Sequence, residues 1–167
     1  MQYAIGTLLA FTVAGFARAF GLDRERSFYP VVLTVVASYY VLFAVMGGSG
    51  NVLLAEIGMA CGFAVLAITG FRRSLWLVAA ALVGHGIFDL LHPFVIRNTG
   101  VPLWWPGFCL AFDGIAGTWL ALLIVRQSRT QRGNNGHLPG TTRQRDSVLR
   151  LEQLEDPLLD SSVPHKI

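Results

Sequence analysis

Five apolar runs, residues 2–20, 29–46, 52–71, 74–92 and 104–125, take up most of the first three quarters of the chain. Each is about as long as the roughly 20 residues a helix needs to cross the hydrocarbon core. In lipid every backbone N–H and C=O must be paired internally, and a run of this length satisfies that condition as a helix. The expected fold class is therefore all-α: an integral membrane bundle of five transmembrane helices over residues 1–125. Composition agrees, because 53% hydrophobic and 14% charged residues in 167 leave too little polar surface to clothe a soluble globule.

The connectors read as breaks in these helices. Gly47-Gly48-Ser49-Gly50-Asn51 is a breaker cluster, and Pro93 and Pro102 bracket an irregular loop. His92 precedes proline, which disfavours helical geometry and predicts the end of the fourth helix close to it. Arginines alternate between the two ends. Arg18, Arg24 and Arg26 flank the first loop, Arg72 and Arg73 the third, and Arg126, Arg129 and Arg132 follow the last run, whereas the other two loops hold only Arg97. The positive-inside rule then predicts an external or lumenal N-terminus and a cytoplasmic C-terminus, as five crossings require. Tyr3, Phe28, Tyr29, Trp76, Trp104 and Trp105 fall near the predicted interfaces, where aromatic side chains anchor. A cleaved signal peptide is the weaker reading of the first run, since its arginines follow the apolar residues rather than precede them.

Residues 126–167 are rich in Arg, Gln, Asn, Ser, Gly and Pro and are expected to form a disordered cytoplasmic tail. Val148, Leu151 and Leu154 would give a short amphipathic helix there, and Glu155-Asp156-Pro157-Leu158-Leu159 is similar to an acidic dileucine sorting signal; a protein partner of the tail has no further signature. No aromatic-interleaved basic run is present, so nucleic acid is not an expected partner. Cys61 and Cys109 both sit in apolar runs, which argues against a disulfide framework.

Within the apolar runs stand Glu56, His85, Asp89, His92 and Asp113. A charge at the bilayer centre costs about 2.5–3.5 kcal/mol even on the insertion scale, so such a set points to function. Positions 85, 89 and 92 fall within about a 60° arc of one helix, and the topology brings all five residues into the outer half of the membrane. Ionised carboxylates gathered there must be protonated, paired with imidazolium or Arg97, or bound to a cation.

Three readings follow. In the first, His85, Asp89 and His92 ligate a divalent metal (Zn, Fe or Mn), with Glu56 or Asp113 as a further ligand or as the base that activates a bound water. That would be a metal-dependent enzyme acting on a lipid-like small molecule that enters from the bilayer. In the second, the same groups, extended by Tyr39 and Tyr40, form a proton or ion path. In the third they lock the bundle together or support a partner-binding role. Cys109, one turn before Asp113, is a candidate soft ligand, although a small buried thiol needs no such role. Gly84, Gly86 and the Gly58-x-x-x-Gly62 pair are expected at close helix contacts. Arg97 and the Trp104-Trp105 pair would form the mouth of the pocket, with the loop from Pro93 to Pro106 as a lid.

The segment His85-Gly-Ile-Phe-Asp89-Leu-Leu-His92, followed by Pro102-Leu-Trp-Trp-Pro-Gly-Phe-Cys109 and Asp113, resembles a family of small multipass membrane proteins of unknown function. The resemblance covers about residues 80 to 120. It implies that Asp89, His92 and Asp113 belong to one site, and it implies no activity. Membrane hydrolases of the ceramidase and adiponectin-receptor type share only the chemistry, since their terminal His-x-x-x-His pair is absent here.

Overall fold

A computed structural model of the protein describes residues 1–47 and 50–135, with side chains to residue 131. Its elements are α1 (Gln2–Ala19), a 3-10 turn (Leu22–Arg24), α2 (Phe28–Gly47), α3 (Gly50–Arg72), α4 (Leu75–Val95) and α5 (Trp105–Asn135), and no strand occurs among the described residues. Residues Met1–Arg126 make one unit and Gln127–Ile167 a second. The segments noted above at 147–155 and 155–159 lie outside the described residues.

The all-α expectation holds. Four helices are long and apolar enough to cross a membrane: 28–47, 50–72, 75–95 and 105–131. The first helix, with 18 residues and polar Gln2 and Arg18 at its ends, is not among them. Its small residues Gly6, Ala10, Ala14 and Ala17 are buried, while Ile5, Leu8, Phe11 and Phe16 are exposed. A Cβ at Gly6 would collide with the Phe108 carbonyl oxygen, so glycine is what lets α1 approach α5. Large apolar side chains face outward on all five helices. In water these would form patches far beyond those of a soluble monomer, and lipid contact accounts for them.

The ends of the bundle differ in chemistry. At one end Arg18 pairs with Asp23 at 3.1 Å, and Arg26 Nε donates to the Phe71 carbonyl at 2.6 Å. That bond ties the loop before α2 to the last turn of α3, where an unpaired carbonyl and the helix dipole both favour a cation. Ser74 caps α4 at the same end, accepting from the Trp76 N–H at 3.4 Å. At the other end the α4–α5 loop folds onto the C-terminus of α2. Gly100 lies so close to Phe43 and Gly47 that an added Cβ would strike their backbone. A core of Leu33, Val78, Leu82, Ala116 and Leu120 joins α2, α4 and α5 between these ends.

Two boundaries and one set of glycine contacts differ from expectation. The fourth helix does not stop at His92 but runs through Pro93 to Val95, closed by the Ile96 N–H on the His92 carbonyl at 2.8 Å. Proline has no N–H to give the carbonyl of Asp89, so the helix continues without that one bond. The last helix passes Val125 and continues to Asn135, which shortens the predicted tail. Residues 126–132 are Arg, Gln, Ser, Arg, Thr, Gln and Arg, with neither glycine nor proline among them, and nothing there stops propagation. Finally, nothing lies within 4 Å of a Cβ built at Gly58, Gly62 or Gly84, whereas Gly86 packs on Leu110 and Asp113. Of the predicted glycine contacts on α3 and α4, this one is made within the chain.

Candidate functional site

Glu56, His85, Asp89, His92 and Asp113 are all buried, none more than 1% exposed. They come from three helices. Glu56 is the one buried acid on α3, a helix whose buried residues are otherwise only Ala67 and Gly70. The α4 stripe carries His85, Asp89 and His92 inward, and Asp113 faces it from α5. All five converge toward the end of the bundle that holds the α4–α5 loop.

They form two groups rather than one. In the deeper group His85 Nδ1 lies 2.8 Å from Asp113 Oδ2 and 3.5 Å from Asp89 Oδ2. Only the first distance is a hydrogen bond, donated by the ring N–H in the tautomer that carries its proton on Nδ1. One ligand atom from each of His85, Asp89 and Asp113 lies within 4.8 Å of the others, close enough for all three to hold a metal ion. Both oxygens of Asp89 and Oδ1 of Asp113 are sealed from solvent without a hydrogen-bond partner. The Tyr40 hydroxyl and the Cys109 thiol approach the Asp89 carboxylate, though neither completes a hydrogen bond to it. Phe63 closes the outer side of His85 edge-on at 4.7 Å.

The shallower group is built on Glu56. Its Oε1 accepts from His92 Nε2 at 2.7 Å and from Asn98 Nδ2 at 2.9 Å. Asn98 also donates to the Tyr40 carbonyl at 3.3 Å and accepts from the Gly100 N–H at 3.1 Å. The loop is thereby stitched to α2 and α3. A cavity of about 250 Å³ is walled by His92, Arg97, Asn98, Pro102 and Pro106. Tyr40 connects the two groups: its ring lies 4.1 Å from that of His92 and 6.3 Å from that of His85.

His92, expected beside His85 and Asp89 as a ligand, is hydrogen-bonded to Glu56 instead, while Asp113, expected as a further ligand or as the base, joins His85 and Asp89 in the group that could hold a metal. Seven residues along α4 amount to about 10 Å of rise, which is enough to give the two histidines different neighbours. Arg97 lines this cavity, exposed and without an ion pair among the described residues, and the loop residue that pairs with Glu56 is Asn98. Trp105 lies away from this cavity, against Tyr39 and Phe43 at 5.1 and 4.8 Å. Asn98 had no signal in the sequence, because a loop asparagine acquires a partner only through the fold.

Gly86 sets the spacing of the deeper group. A Cβ there would lie 3.2 Å from Leu110 Cα and 3.3 Å from Asp113 Cβ. Gly86→Ala is expected to push α5 outward, weaken the His85–Asp113 contact and cost about 1–3 kcal/mol. Thermal unfolding read alongside helix content checks this: the midpoint should fall while helix content stays unchanged.

Comparison with protein-family models, with curated proteins and with solved structures finds no match for this chain.

Proposed function

We propose that the protein is an integral membrane protein in which α1 also crosses, giving five spans with an external or lumenal N-terminus and a cytoplasmic C-terminus. In this reading His85, Asp89 and Asp113 hold a divalent cation, Zn, Fe or Mn, and the protein is a metal-dependent hydrolase of a lipid-like substrate. The outward apolar faces of all five helices support the span count, and the gathering of Arg18, Arg24, Arg26, Arg72 and Arg73 at one end supports the orientation.

One observation carries the metal: three carboxylate oxygens of Asp89 and Asp113 are buried without a completed hydrogen bond, although the His85 ring lies 3.5 Å from Asp89 Oδ2 and the Tyr40 hydroxyl and Cys109 thiol stand beside that carboxylate. An uncompensated carboxylate in a low-dielectric interior is costly, and a cation bound between the two removes that cost. Two carboxylates and a neutral imidazole balance a charge of +2. Imidazole and carboxylate are ordinary ligands of these metals, and three protein ligands leave a position for water or substrate. A cation so placed supplies Lewis acidity and an activated water. His85 would ligate such a cation through Nδ1 in the neutral tautomer that carries the ring proton on Nε2. Glu56 and His92 lie toward the outer cavity, where they are suited to take up a proton, and Tyr40 stands between them and the site. The resemblance of residues 80 to 120 to small multipass proteins fits a shared site and adds no activity.

Metal analysis of the purified protein tests this reading. The wild type should carry about one divalent ion per chain, and Asp89→Ala and His85→Ala should carry only traces. Wild-type protein that holds only traces itself would remove the enzyme reading.

A second reading rests on the series Asp113, His85, Asp89, Tyr40, His92 and Glu56, in which hydrogen bonds join Asp113 to His85 and His92 to Glu56 and Tyr40 stands between the two pairs, the kind of residues a proton path uses. Proton flux into proteoliposomes that disappears on Asp89→Asn, in protein free of metal, would favour transport instead.

A further inference from the structure

Tyr40 is buried at the polar centre of the bundle, on a helix that supplies no charged side chain. Its ring is held on two sides: it lies 4.1 Å from that of His92 and meets Phe43 edge-on at 6.2 Å. The hydroxyl stands beside the Asp89 carboxylate, sealed from solvent, and completes no hydrogen bond there. Phenylalanine would make the same ring contacts without burying a hydroxyl, which is costly when unpaired. The hydroxyl therefore needs an explanation that packing does not give.

The unfilled atoms at this place are complementary. Tyr40 offers a donor with no acceptor, and both oxygens of Asp89 are acceptors with no donor. A carboxylate that gives one oxygen to a cation keeps the other for a hydrogen bond, and donors in that place orient the ligand and hold it on the metal. Cys109 also stands beside Asp89, yet a thiol is a weak donor, so the phenol is the stronger partner.

We infer that Tyr40 is a positioning residue for the His85–Asp89–Asp113 group: its hydroxyl donates to the Asp89 oxygen that a bound cation leaves free, and so holds Asp89 as a one-oxygen ligand. Without that donor Asp89 is free to chelate with both oxygens and to take the place that water or substrate needs. This role rests on the metal reading and adds α2 to the helices that shape the site.

The test strips detergent-purified full-length protein of metal and titrates it with Zn²⁺, Fe²⁺ and Mn²⁺ in turn against a competing chelator. For the ion that the wild type holds most tightly, Tyr40→Phe should lower affinity about 10- to 100-fold and keep about one ion per chain. The metal-free variant should unfold at the wild-type temperature or above it, since it buries one unpaired hydroxyl fewer. A purely structural tyrosine would give the reverse, a less stable metal-free protein with unchanged affinity, and that result overturns the inference. The infrared difference between loaded and metal-free protein reads the ligand itself: in Tyr40→Phe the separation of the two carboxylate stretches should move toward the two-oxygen pattern. Tyr39→Phe, whose ring packs on Trp105 instead, should match the wild type throughout, and Cys109→Ala should cost less affinity than Tyr40→Phe. Equal affinity in wild type and Tyr40→Phe, or a larger loss in Cys109→Ala, overturns the role of Tyr40 and leaves the metal site standing. Wild-type protein that binds none of the three ions overturns the metal site and the role of Tyr40 together.

Discussion

Glu56→Ala is expected to destabilise the protein by about 1–3 kcal/mol, because the buried His92 donor loses its acceptor. His92 Nε2 and Asn98 Nδ2 both donate to Glu56 Oε1, at 2.7 and 2.9 Å, with Glu56 and His92 buried and Asn98 half-buried. Polar contacts between membrane helices often contribute only about 0.6 kcal/mol, because the separated helices find other partners. Here the penalty of one unpaired donor wins, since the buried His92 ring stays packed against Tyr40 after the glutamate is gone, while Asn98 keeps the Tyr40 carbonyl. Glu56→Gln keeps an acceptor oxygen and should retain most of the stability. Thermal unfolding of the purified variants checks this: alanine and glutamine variants of equal stability would mean that the contact does not hold the loop.

Gly100→Ala should be comparably damaging for a steric reason. Its Cβ would land on the Phe43 carbonyl group, 2.9 Å from the carbon, and 3.0 Å from the Gly47 nitrogen. All of these are backbone atoms, so no rotamer change relieves the overlap. Overpacking of this kind costs about 1–3 kcal/mol or more. The simplest relief is to lift the loop from α2, which breaks the bonds of Asn98 to Glu56 and to the Tyr40 carbonyl. Limited proteolysis should therefore cut the 96–104 loop faster in this variant. Gly58→Ala, which meets no atom within 4 Å, should leave cleavage at the wild-type rate.

Much of this architecture is legible from hydropathy and spacing. The apolar runs locate all five helices to within a few residues, except at the C-terminal end of α5, because in lipid a long apolar segment has few alternatives to helix. The same reasoning singles out the five buried ionisable residues, since their depth along alternating helices follows from rise per residue. The boundaries that moved are those where a local rule met a competing one. Proline at position 93 removes one hydrogen bond but does not end α4, because its last turn is closed by Ile96 on His92 and its His92 side chain is held by Glu56. Beyond Val125 polar residues end the apolar run without ending the helix, because polarity and helix propensity are separate properties.

The sequence by itself determined that α4 carries His85, Asp89 and His92 on one stripe, and that Glu56 and Asp113 lie at matching depth on its neighbours. Only the tertiary structure decided which neighbour meets which rung of that stripe. α3 reaches the upper rung, where Glu56 takes His92, and α5 reaches the lower one, where Asp113 takes His85. Periodicity fixes a residue's angle and height on its own helix, but it says nothing of how a second helix leans against it. That lean depends on small residues at the contact, Gly86 against Leu110 and Gly6 against Phe108, and on a loop asparagine whose partners lie 42 and 58 residues away.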